Sequence, residues 1–373
     1  MTYAELDLQV QAFGRGLIEV GLKEDEAVAL LSENSLRWLV CDLAVLGNRA
    51  FDVPRGVSFP AEEILYILKH SEAKIVVVET AKELTGLLER RSEIPKVETL
   101  IVLDETFADS KPDERLYTYD EIAELGLKSS DETEACFLRR RQESMPEDVR
   151  TVMYTSGTTG TPKGIPLTHS NIMHNVETIP ELLHMERSDR FLSLLPIWHV
   201  LERTAEYLAL RTGASIWYTT RLTFARDLGT VSPTHVVSVP RIWVLLYDGV
   251  MASIRQQGKE ELFARLYGHS LKVMAARRYR QKRQYLLLGQ EPTKCAASLI
   301  DLLCHKVADL LIYRKIRKRL GKAFKAGISG GGALPEYIDD FFEVMGVPLL
   351  EGYGLTETAP VLCVREFEHR IPY

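Results

Sequence analysis

The sequence predicts an α/β fold in which doubly wound, mostly parallel sheets are flanked by helices. Short apolar runs alternate with segments of helical periodicity along most of the 373 residues. The run at residues 74–78 is mostly β-branched, as expected for a strand that is buried on both faces. A Gly/Thr-rich stretch at residues 154–169 separates another such run from a helical segment.

The first 150 residues begin with segments of helical and strand pattern that alternate clearly. Residues 3–20 predict an amphipathic helix, with Leu6, Phe13 and Leu17 on one face. Residues 104–150 are rich in charge and weak in pattern, and we interpret them as a surface excursion that leads into a strand at 149–153. The other predicted elements are strands at 27–31, 50–53, 74–78 and 100–103, a helix at 36–46 with Ser35 as N-cap, a turn at 54–56 and a helix at 61–69.

The alternation resumes after the Gly/Thr-rich stretch. Strands are predicted at residues 191–195, 214–218, 235–239, 323–328 and 348–350. Helices are predicted at 170–183, 200–211, 224–228, 241–254, 260–288, 296–320 and 335–345. A turn at 329–332 and a loop at 351–358 complete the pattern.

Composition excludes several classes of protein. A hydrophobic content of 46% with 26% charged residues is ordinary for a globular protein, and a net charge of −6 gives no reason to expect nucleic-acid binding. The five cysteines are scattered without metal spacing, so we expect reduced thiols in a cytoplasmic protein. No apolar run approaches the roughly 20 residues that span a bilayer, and no signal peptide is evident.

The strongest local signal lies between residues 154 and 169. Glycines let several backbone amides converge on one point, hydroxyls add donors, and a lysine adds positive charge, so the stretch predicts a polyphosphate site. An ordinary polar loop is the plainer interpretation, but it leaves the lysine unexplained. A P-loop needs a Gly-Lys pair where Pro162 stands, and the dinucleotide pattern also lacks a glycine. The candidate ligands are Thr155, Ser156, Gly157, Thr158, Thr159, Gly160 and Lys163.

Residues 352–358 carry the second signal. Tyr353 stands between two glycines, where an aromatic ring can lie against a purine, and Thr356 and Glu357 offer a hydroxyl and a carboxylate. Carboxylate oxygens are ligands that Mg²⁺ prefers. A capped helix N-terminus is the alternative interpretation.

These two stretches resemble motifs of the AMP-forming adenylating enzymes, which include acyl-CoA synthetases, adenylation domains and luciferases. The resemblance implies that Thr356 contacts the α-phosphate and that Tyr353 stacks on adenine. It also implies that Glu357 binds Mg²⁺, with Thr155 as the second group near the metal.

Two further segments are similar to the same family. The resemblance places Gly331 and Gly332 in a wall of the adenine and acyl pockets, although a flexible turn is the alternative. His199, in a Pro-x-x-His pattern, would shape the acyl site, although a structural histidine is the alternative. Residues 52–56, 196–203 and 313–317 look like those of bacterial long-chain fatty acid–CoA ligases.

The resemblance implies ATP, Mg²⁺ and coenzyme A as cofactors and a fatty acid as substrate. Thr356, Glu357 and His199 would be the catalytic residues. Two alternatives stay open within the prediction: an acyl-acyl-carrier-protein synthetase or other carboxylate adenylator, and an inactive fragment that only binds nucleotide.

The resemblance also bears on domain organisation and partners. We expect residues 1–373 to be an AMP-binding large domain, incomplete at both ends and without the family's small lysine-bearing C-terminal domain. Basic runs at 277–283 and 314–322 could contact anionic lipid at the inner face of the membrane, or they are solvated helix faces. The sequence indicates no oligomeric state.

Overall fold

The computed structural model describes residues 1–103, 115–155, 161–280 and 296–367. The chain divides into two compact units. Unit 1 comprises Met1–Asn175 and Pro196–Arg203, and unit 2 comprises Val176–Leu195 and Thr204–Tyr373. Each unit has one mostly parallel sheet flanked by helices, which confirms the predicted α/β class.

Unit 1 is built on a sheet of seven described strands. These are β1 (Ala27–Leu31), β2 (Phe51–Arg55), β3 (Ile75–Val78), β4 (Thr99–Val102), β5 (Leu116–Thr118), β6 (Val149–Thr155) and β7 (Lys163–Thr168). Their order is β5-β4-β3-β1-β2-β6-β7, and only the β6–β7 pair is antiparallel. All residues of β1, β3 and β4 are buried, as their continuous apolar runs predict.

Three helices of unit 1 before residue 100 follow the predicted ones closely, and a fourth, Ala81–Glu89, was not predicted. The helices of unit 1 are α1 (Tyr3–Glu19), α2 (Leu36–Gly47), α3 (Ala61–Ser71), α4 (Ala81–Glu89), α5 (Tyr119–Leu127) and α6 (Asp131–Gln142). The Ser35 hydroxyl accepts from the Trp38 amide at 3.1 Å, so the predicted N-cap is confirmed. Two more helices, α7 (His169–Leu182) and α8 (Val200–Thr212), belong partly to each unit.

The interpretation of residues 104–150 as a surface excursion is wrong for the part that the structure describes. β5, α5 and α6 lie there, and α5 begins with a capping box of Thr118 and Glu121. α5 packs so closely on α1 that a Cβ at Gly16 would lie 1.9 Å from the Ile122 carbonyl oxygen. α6 is mostly charged and buries only two side chains, so its sequence shows no apolar periodicity from which a helix could be predicted. Residues 104–114 lie outside the described residues.

The Gly/Thr-rich stretch leads into a helix as predicted, since α7 begins at His169, but the second part of the stretch is a strand that was not predicted. This strand, β7, forms a hairpin with β6. It contains Gly164 and Pro166, which are poor strand formers, and only Leu167 is fully buried. Because β7 lies at the sheet edge, it tolerates a proline there.

Unit 2 is built on a second sheet, with six described strands. These are β8 (Arg190–Ser193), β9 (Ser215–Tyr218), β10 (His235–Ser238), β11 (Ala326–Ser329), β12 (Leu349–Gly354) and β13 (Val361–Val364). Their order is β13-β12-β11-β10-β8-β9, and only the β12–β13 pair is antiparallel. The predicted loop at 351–358 is wrong in part, because β12 continues to Gly354 and Thr356–Thr358 form a 3₁₀ turn.

Helices flank this sheet, and the helix Leu299–Ala308 packs on the helix Glu260–Arg280. The helices of unit 2 are α9 (Phe224–Val231), α10 (Pro240–Gln256), α11 (Glu260–Arg280), α12 (Leu299–Ala308), α13 (Arg314–Leu320) and α14 (Glu336–Val344). A π-helical turn, Asp309–Tyr313, joins α12 to α13 where one continuous helix is predicted. Residues 281–288 of the other long predicted helix lie outside the described residues.

The described residues contain no helix that is long and apolar enough to cross a bilayer. They contain no group of three or more His, Cys, Asp or Glu side chains arranged to hold a metal ion. The cysteines among them, Cys41, Cys136, Cys304 and Cys363, are free thiols.

Candidate functional site

The predicted site residues fall in both units. Unit 1 contains Thr155, Lys163 and His199, and unit 2 contains Gly331, Gly332, Tyr353, Thr356 and Glu357. Ser156, Gly157, Thr158, Thr159 and Gly160 lie outside the described residues.

The ends of the predicted phosphate loop are paired. Thr155 and Lys163 are register partners at the end of the β6–β7 hairpin where the connecting loop leaves and returns, so about 5 Å separates their Cα atoms. Lys163 is exposed, and its ammonium makes no hydrogen bond or ion pair with another described residue. The hairpin therefore holds both ends of the loop and leaves a cation available to a ligand.

Strand β6 is anchored just before this loop. Arg55 Nη1 donates to the Tyr154 carbonyl oxygen at 2.9 Å, and the Tyr154 hydroxyl lies 2.7 Å from His70 Nδ1. Burial raises the pKa of Tyr154 to about 12, so the phenol is neutral near pH 7. Arg55 also stacks 3.6 Å above the Phe59 ring and pairs with Glu63. Arg55 thus positions the carboxyl end of β6, a role that the sequence did not reveal.

The segment that carries His199 is fixed to unit 1 by its neighbours. The Ile197 amide donates to Asn34 Oδ1 at 2.8 Å. The Trp198 indole lies so close to Gly56 that a Cβ there would be 2.4 Å from its Nε1. The glycine at position 56 is therefore required by the close approach of this ring.

His199 itself is a neutral imidazole near pH 7. Desolvation by surrounding atoms lowers its pKa, although its side chain keeps an exposed surface. Its Nδ1 accepts from the Leu201 amide at 3.3 Å, which assigns the ring proton to Nε2. The ring can thus donate one hydrogen bond to a ligand.

Arg203 is the last residue of the same segment, and its guanidinium lies in a buried ion cluster. Its Nη1 donates to Asp52 Oδ1 at 3.0 Å and to Thr151 Oγ1 at 2.8 Å. Its Nη2 donates to carboxylate oxygens of both Asp42 and Asp52. Arg150 Nη2 lies 3.6 Å from Asp42, so two arginines face two aspartates. The side chain of Arg203 is 1% exposed and those of both aspartates are 0% exposed.

We expect this cluster to make stability depend on pH. Burial raises the pKa of Asp52 from 3.8 to about 6, so the folded chain keeps this proton where the unfolded chain has lost it. The contribution is complete below pH 3.8 and is lost as pH rises through about 6. Urea titrations measure the free energy of unfolding of the wild type and of Asp52→Asn. The wild-type value minus the variant value should fall as pH rises from 3.8 to about 6. A difference that is constant with pH, or that rises, contradicts the assignment.

In unit 2, the glycine turn after β11 is tied at both ends. The Gly330 amide donates to the Ser238 carbonyl oxygen at 3.0 Å, and the Leu334 amide donates to Glu351 Oε1 at 3.0 Å. Glu351 is held in turn by Arg365, whose Nη2 lies 3.2 Å from Oε2. Glu351 and Arg365 thus position the turn, and no local pattern in the sequence signals them.

The two candidate glycines in this turn differ. Gly331 has φ +75°, in the left-handed region, so a side chain there would strain the backbone. A Cβ at Gly332 would meet only Pro240, with its nearest atom 3.8 Å away. Position 332 therefore has room for a ligand or for a larger side chain.

Two buried hydroxyls precede this turn. Ser238 and Ser329 are register partners at the carboxyl ends of β10 and β11, and both are fully buried. Neither hydroxyl has a hydrogen-bond partner among the described residues. An unsatisfied buried hydroxyl is costly, so both are candidates for ligand contact that the sequence did not single out.

The 3₁₀ turn Thr356–Thr358 is held by the side chain of Thr358. Thr358 Oγ1 accepts from the Leu355 amide at 2.9 Å and donates to the Pro360 carbonyl oxygen at 2.9 Å. A Cβ at Gly354 would lie 1.6 Å from that same carbonyl oxygen, so glycine is required there. Together these contacts fix the turn that presents Thr356 and Glu357.

The three candidate side chains around this turn are open to ligands. Tyr353 is 61% exposed and Glu357 is exposed. The side chains of Thr356 and Glu357 make no hydrogen bond or ion pair with other described residues. A free carboxylate fits the oxygen ligands that Mg²⁺ requires, and a free hydroxyl can donate a hydrogen bond to a phosphate oxygen.

Comparison with known proteins gives close matches along the chain. The AMP-binding enzyme family matches residues 1–372. A chloroplastic long-chain-fatty-acid–[acyl-carrier-protein] ligase of Arabidopsis thaliana is 35% identical, over 98% of this chain and 52% of that protein. A long-chain-fatty-acid–CoA ligase of Mycobacterium tuberculosis is 30% identical, over 98% and 57%. The chain thus spans about half the length of these curated relatives.

Solved structures share the fold at low sequence identity. An anthranilate CoA ligase in complex with anthranoyl-AMP has a TM-score of 0.67 at 18% identity, over 100% of this chain and 57% of that one. A long-chain-fatty-acid-CoA ligase of Archaeoglobus fulgidus has a TM-score of 0.67 at 17% identity, over 98% and 60%. With the family match over residues 1–372, the chain belongs to the AMP-binding enzyme family.

Proposed function

We propose that this chain carries the nucleotide and acyl sites of a long-chain fatty acid ligase that activates its substrate as acyl-AMP. The observation that carries the proposal is the pairing of Thr155 with the exposed Lys163 at the ends of a hydroxyl-rich loop. Membership of the AMP-binding family supports the nucleotide. The names of the matching relatives, which are fatty acid ligases, support the acyl substrate.

Each candidate residue has a role in this proposal. Lys163 and residues 156–160 hold the terminal phosphates, and Thr356 holds the α-phosphate. Glu357 and Thr155 hold Mg²⁺, which supplies positive charge against the phosphates. Tyr353 lies against adenine, Gly331 and Gly332 line the adenine and acyl pockets, and His199 shapes the acyl site. Both units together form the AMP-binding large domain.

The proposed chemistry needs positioning more than bond-making side chains. The carboxylate oxygen of the fatty acid attacks the α-phosphorus of ATP, the bond to pyrophosphate breaks, and acyl-AMP forms. Both reactants are anions, so the protein must offset their charge and hold them in line. Lys163 and the hydroxyl of Thr356 can do this without a covalent intermediate. A thiol then attacks the acyl carbon and expels AMP.

The thiol that accepts the acyl group defines a second candidate function. We propose coenzyme A as acceptor, but the relative with 35% identity is named as an acyl-carrier-protein ligase, and those named as CoA ligases or synthetases are 30% and 28% identical. Product analysis with coenzyme A and with holo acyl-carrier protein separates the two. Transfer to carrier protein alone would replace the coenzyme A proposal, and nucleotide binding without any product would favour an inactive chain.

We expect Lys163→Ala and Glu357→Ala each to weaken binding of Mg·ATP about tenfold or more, because each removes a charge-assisted contact. Isothermal titration calorimetry of the chain with ATP and MgCl₂ measures this. Lys82→Ala and Glu89→Ala, both exposed on α4, are matched controls and should bind like wild type. Unchanged affinity in both site variants would remove the phosphate-site assignment.

A further inference from the structure

The outer side of α12 and of the π-helical turn that follows it exposes an unusual number of apolar side chains. Leu299 is 85% exposed, Ile300 65%, Leu303 64% and Leu310 60%. Leu302, Val307 and Leu311 are also exposed. A solvated helix normally turns polar residues outward, and a contiguous apolar patch marks an interaction surface.

The same side of the helical segment continues as a basic surface in α13. The inward side is marked by Ala308, Tyr313, Ile316 and Leu320, which are buried at intervals of five, three and four residues. The interval of five falls in the π-helical turn, so one side faces inward throughout. The outward side therefore runs from the apolar residues of α12 to exposed basic residues, which are Arg314, Lys315, Lys318, Arg319 and Lys322.

A cavity opens beside this basic end. Its volume is about 250 Å³, and four cations line it together with apolar side chains: Arg314, Arg317, Lys318 and Lys322 with Leu320, Phe324 and Val347. Asp309 offsets part of the charge, since it pairs with Arg314 at 3.2 Å and with Arg317 at 2.6 Å. The ammonium groups of Lys318 and Lys322 have no ion pair among the described residues.

We propose that the outer side of residues 299–322 docks on the surface of an anionic bilayer. In this arrangement the apolar side chains of α12 enter the headgroup region, and the cavity takes a lipid phosphate. Charge complementarity selects this occupant, because five exposed cations gather on a chain whose net charge is −6. Association of two copies through the same side would leave these cations facing apolar side chains or each other.

The position of the surface is compatible with ligand binding in unit 2. Phe324 and Val347 precede β11 and β12, whereas Gly331 and Thr356 follow the carboxyl ends of these strands. The cavity at the basic end of the docking surface and these candidate site residues thus lie at opposite ends of the same strands. The proposal uses no residue of the proposed nucleotide site and stands independently of the proposed function.

Vesicle flotation tests the proposal with the whole chain. Wild type should float with vesicles of equal phosphatidylcholine and phosphatidylglycerol, and NaCl should weaken the binding. Leu303→Glu and Leu310→Glu should each lower the partition coefficient about tenfold or more. Lys318→Glu and Lys322→Glu should each lower it about fivefold or more. These four side chains are exposed, so the variants should melt like wild type.

Matched controls and contrary outcomes make the test decisive. Leu222→Glu, at a position 97% exposed, and Lys82→Glu should leave vesicle binding unchanged. Equal binding to phosphatidylcholine vesicles alone, or no binding by wild type, overturns the proposal. It is also overturned if Leu303→Glu abolishes self-association in light scattering while vesicle binding persists, because the surface is then an interface between copies.

Discussion

Replacing Arg203 by alanine is expected to lower the free energy of unfolding by about 3–5 kcal/mol. The substitution leaves the carboxylates of Asp42 and Asp52 buried without the guanidinium that donates to both. Urea unfolding followed by circular dichroism measures the loss. Arg226→Ala is the control, since that arginine is 73% exposed and its ion pair contributes at most about 1 kcal/mol.

The result can be interpreted even if the alanine variant does not fold. Arg203→Lys keeps the charge but cannot donate to Asp42, Asp52 and Thr151 with a planar fork, so we expect an intermediate loss. A loss below about 1 kcal/mol for Arg203→Ala would mean that the cluster is not essential to unit 1.

The affinity for fatty acids is expected to rise about fourfold per methylene group, from acetate until the acyl pocket is filled. This prediction follows from the proposed long-chain substrate, because each CH₂ transferred from water to an apolar pocket contributes about 0.8 kcal/mol. Equilibrium binding of saturated acids in the presence of Mg·ATP gives the slope, and pyrophosphate release gives the matching rates. A maximum at acetate or at an aromatic acid would reject the long-chain substrate and leave adenylation intact.

Gly332→Leu is expected to shift the preference towards shorter acids, because its side chain would project from the turn proposed to line the acyl pocket. The nearest atom to a Cβ at this position is 3.8 Å away, so the variant should fold normally. Position 331 is unsuitable for the test, since φ +75° makes any substitution strained. An unchanged chain-length profile would exclude Gly332 from the pocket wall.

The fold class and most elements could be predicted because buried parallel strands are short, continuous apolar runs. β1, β3 and β4 show such runs, and Ser35 marks the start of α2. Where an element buries little, the pattern fails. β7 has one fully buried residue and α6 has two, so neither produces a periodic signal.

The candidate ligand-binding residues, which stay predictions, were chosen by residue types that suit phosphates and metal ions and by the resemblance to the adenylating enzymes. Sequence patterns did not identify the residues that position them, because the roles of these residues depend on partners distant in sequence. Arg55 reaches Tyr154, which lies 99 positions later. Glu351 accepts hydrogen bonds from the Leu334 amide of the glycine turn and from Arg365. No local sequence pattern predicts either contact. The division of unit 1 into two separate segments also follows from three-dimensional contacts alone.

Unit 1 is assembled from two separate parts of the chain, and this has a consequence for synthesis on the ribosome. Residues 176–195, which include β8 of unit 2, are translated before Arg203. At about 5–20 residues per second, the part up to Asn175 waits seconds for the cation that donates to both of its buried aspartates. The nascent segment Met1–Asn175 should therefore remain protease-sensitive until translation has passed Arg203. The position of this one side chain in the sequence thus determines when unit 1 can complete its folding.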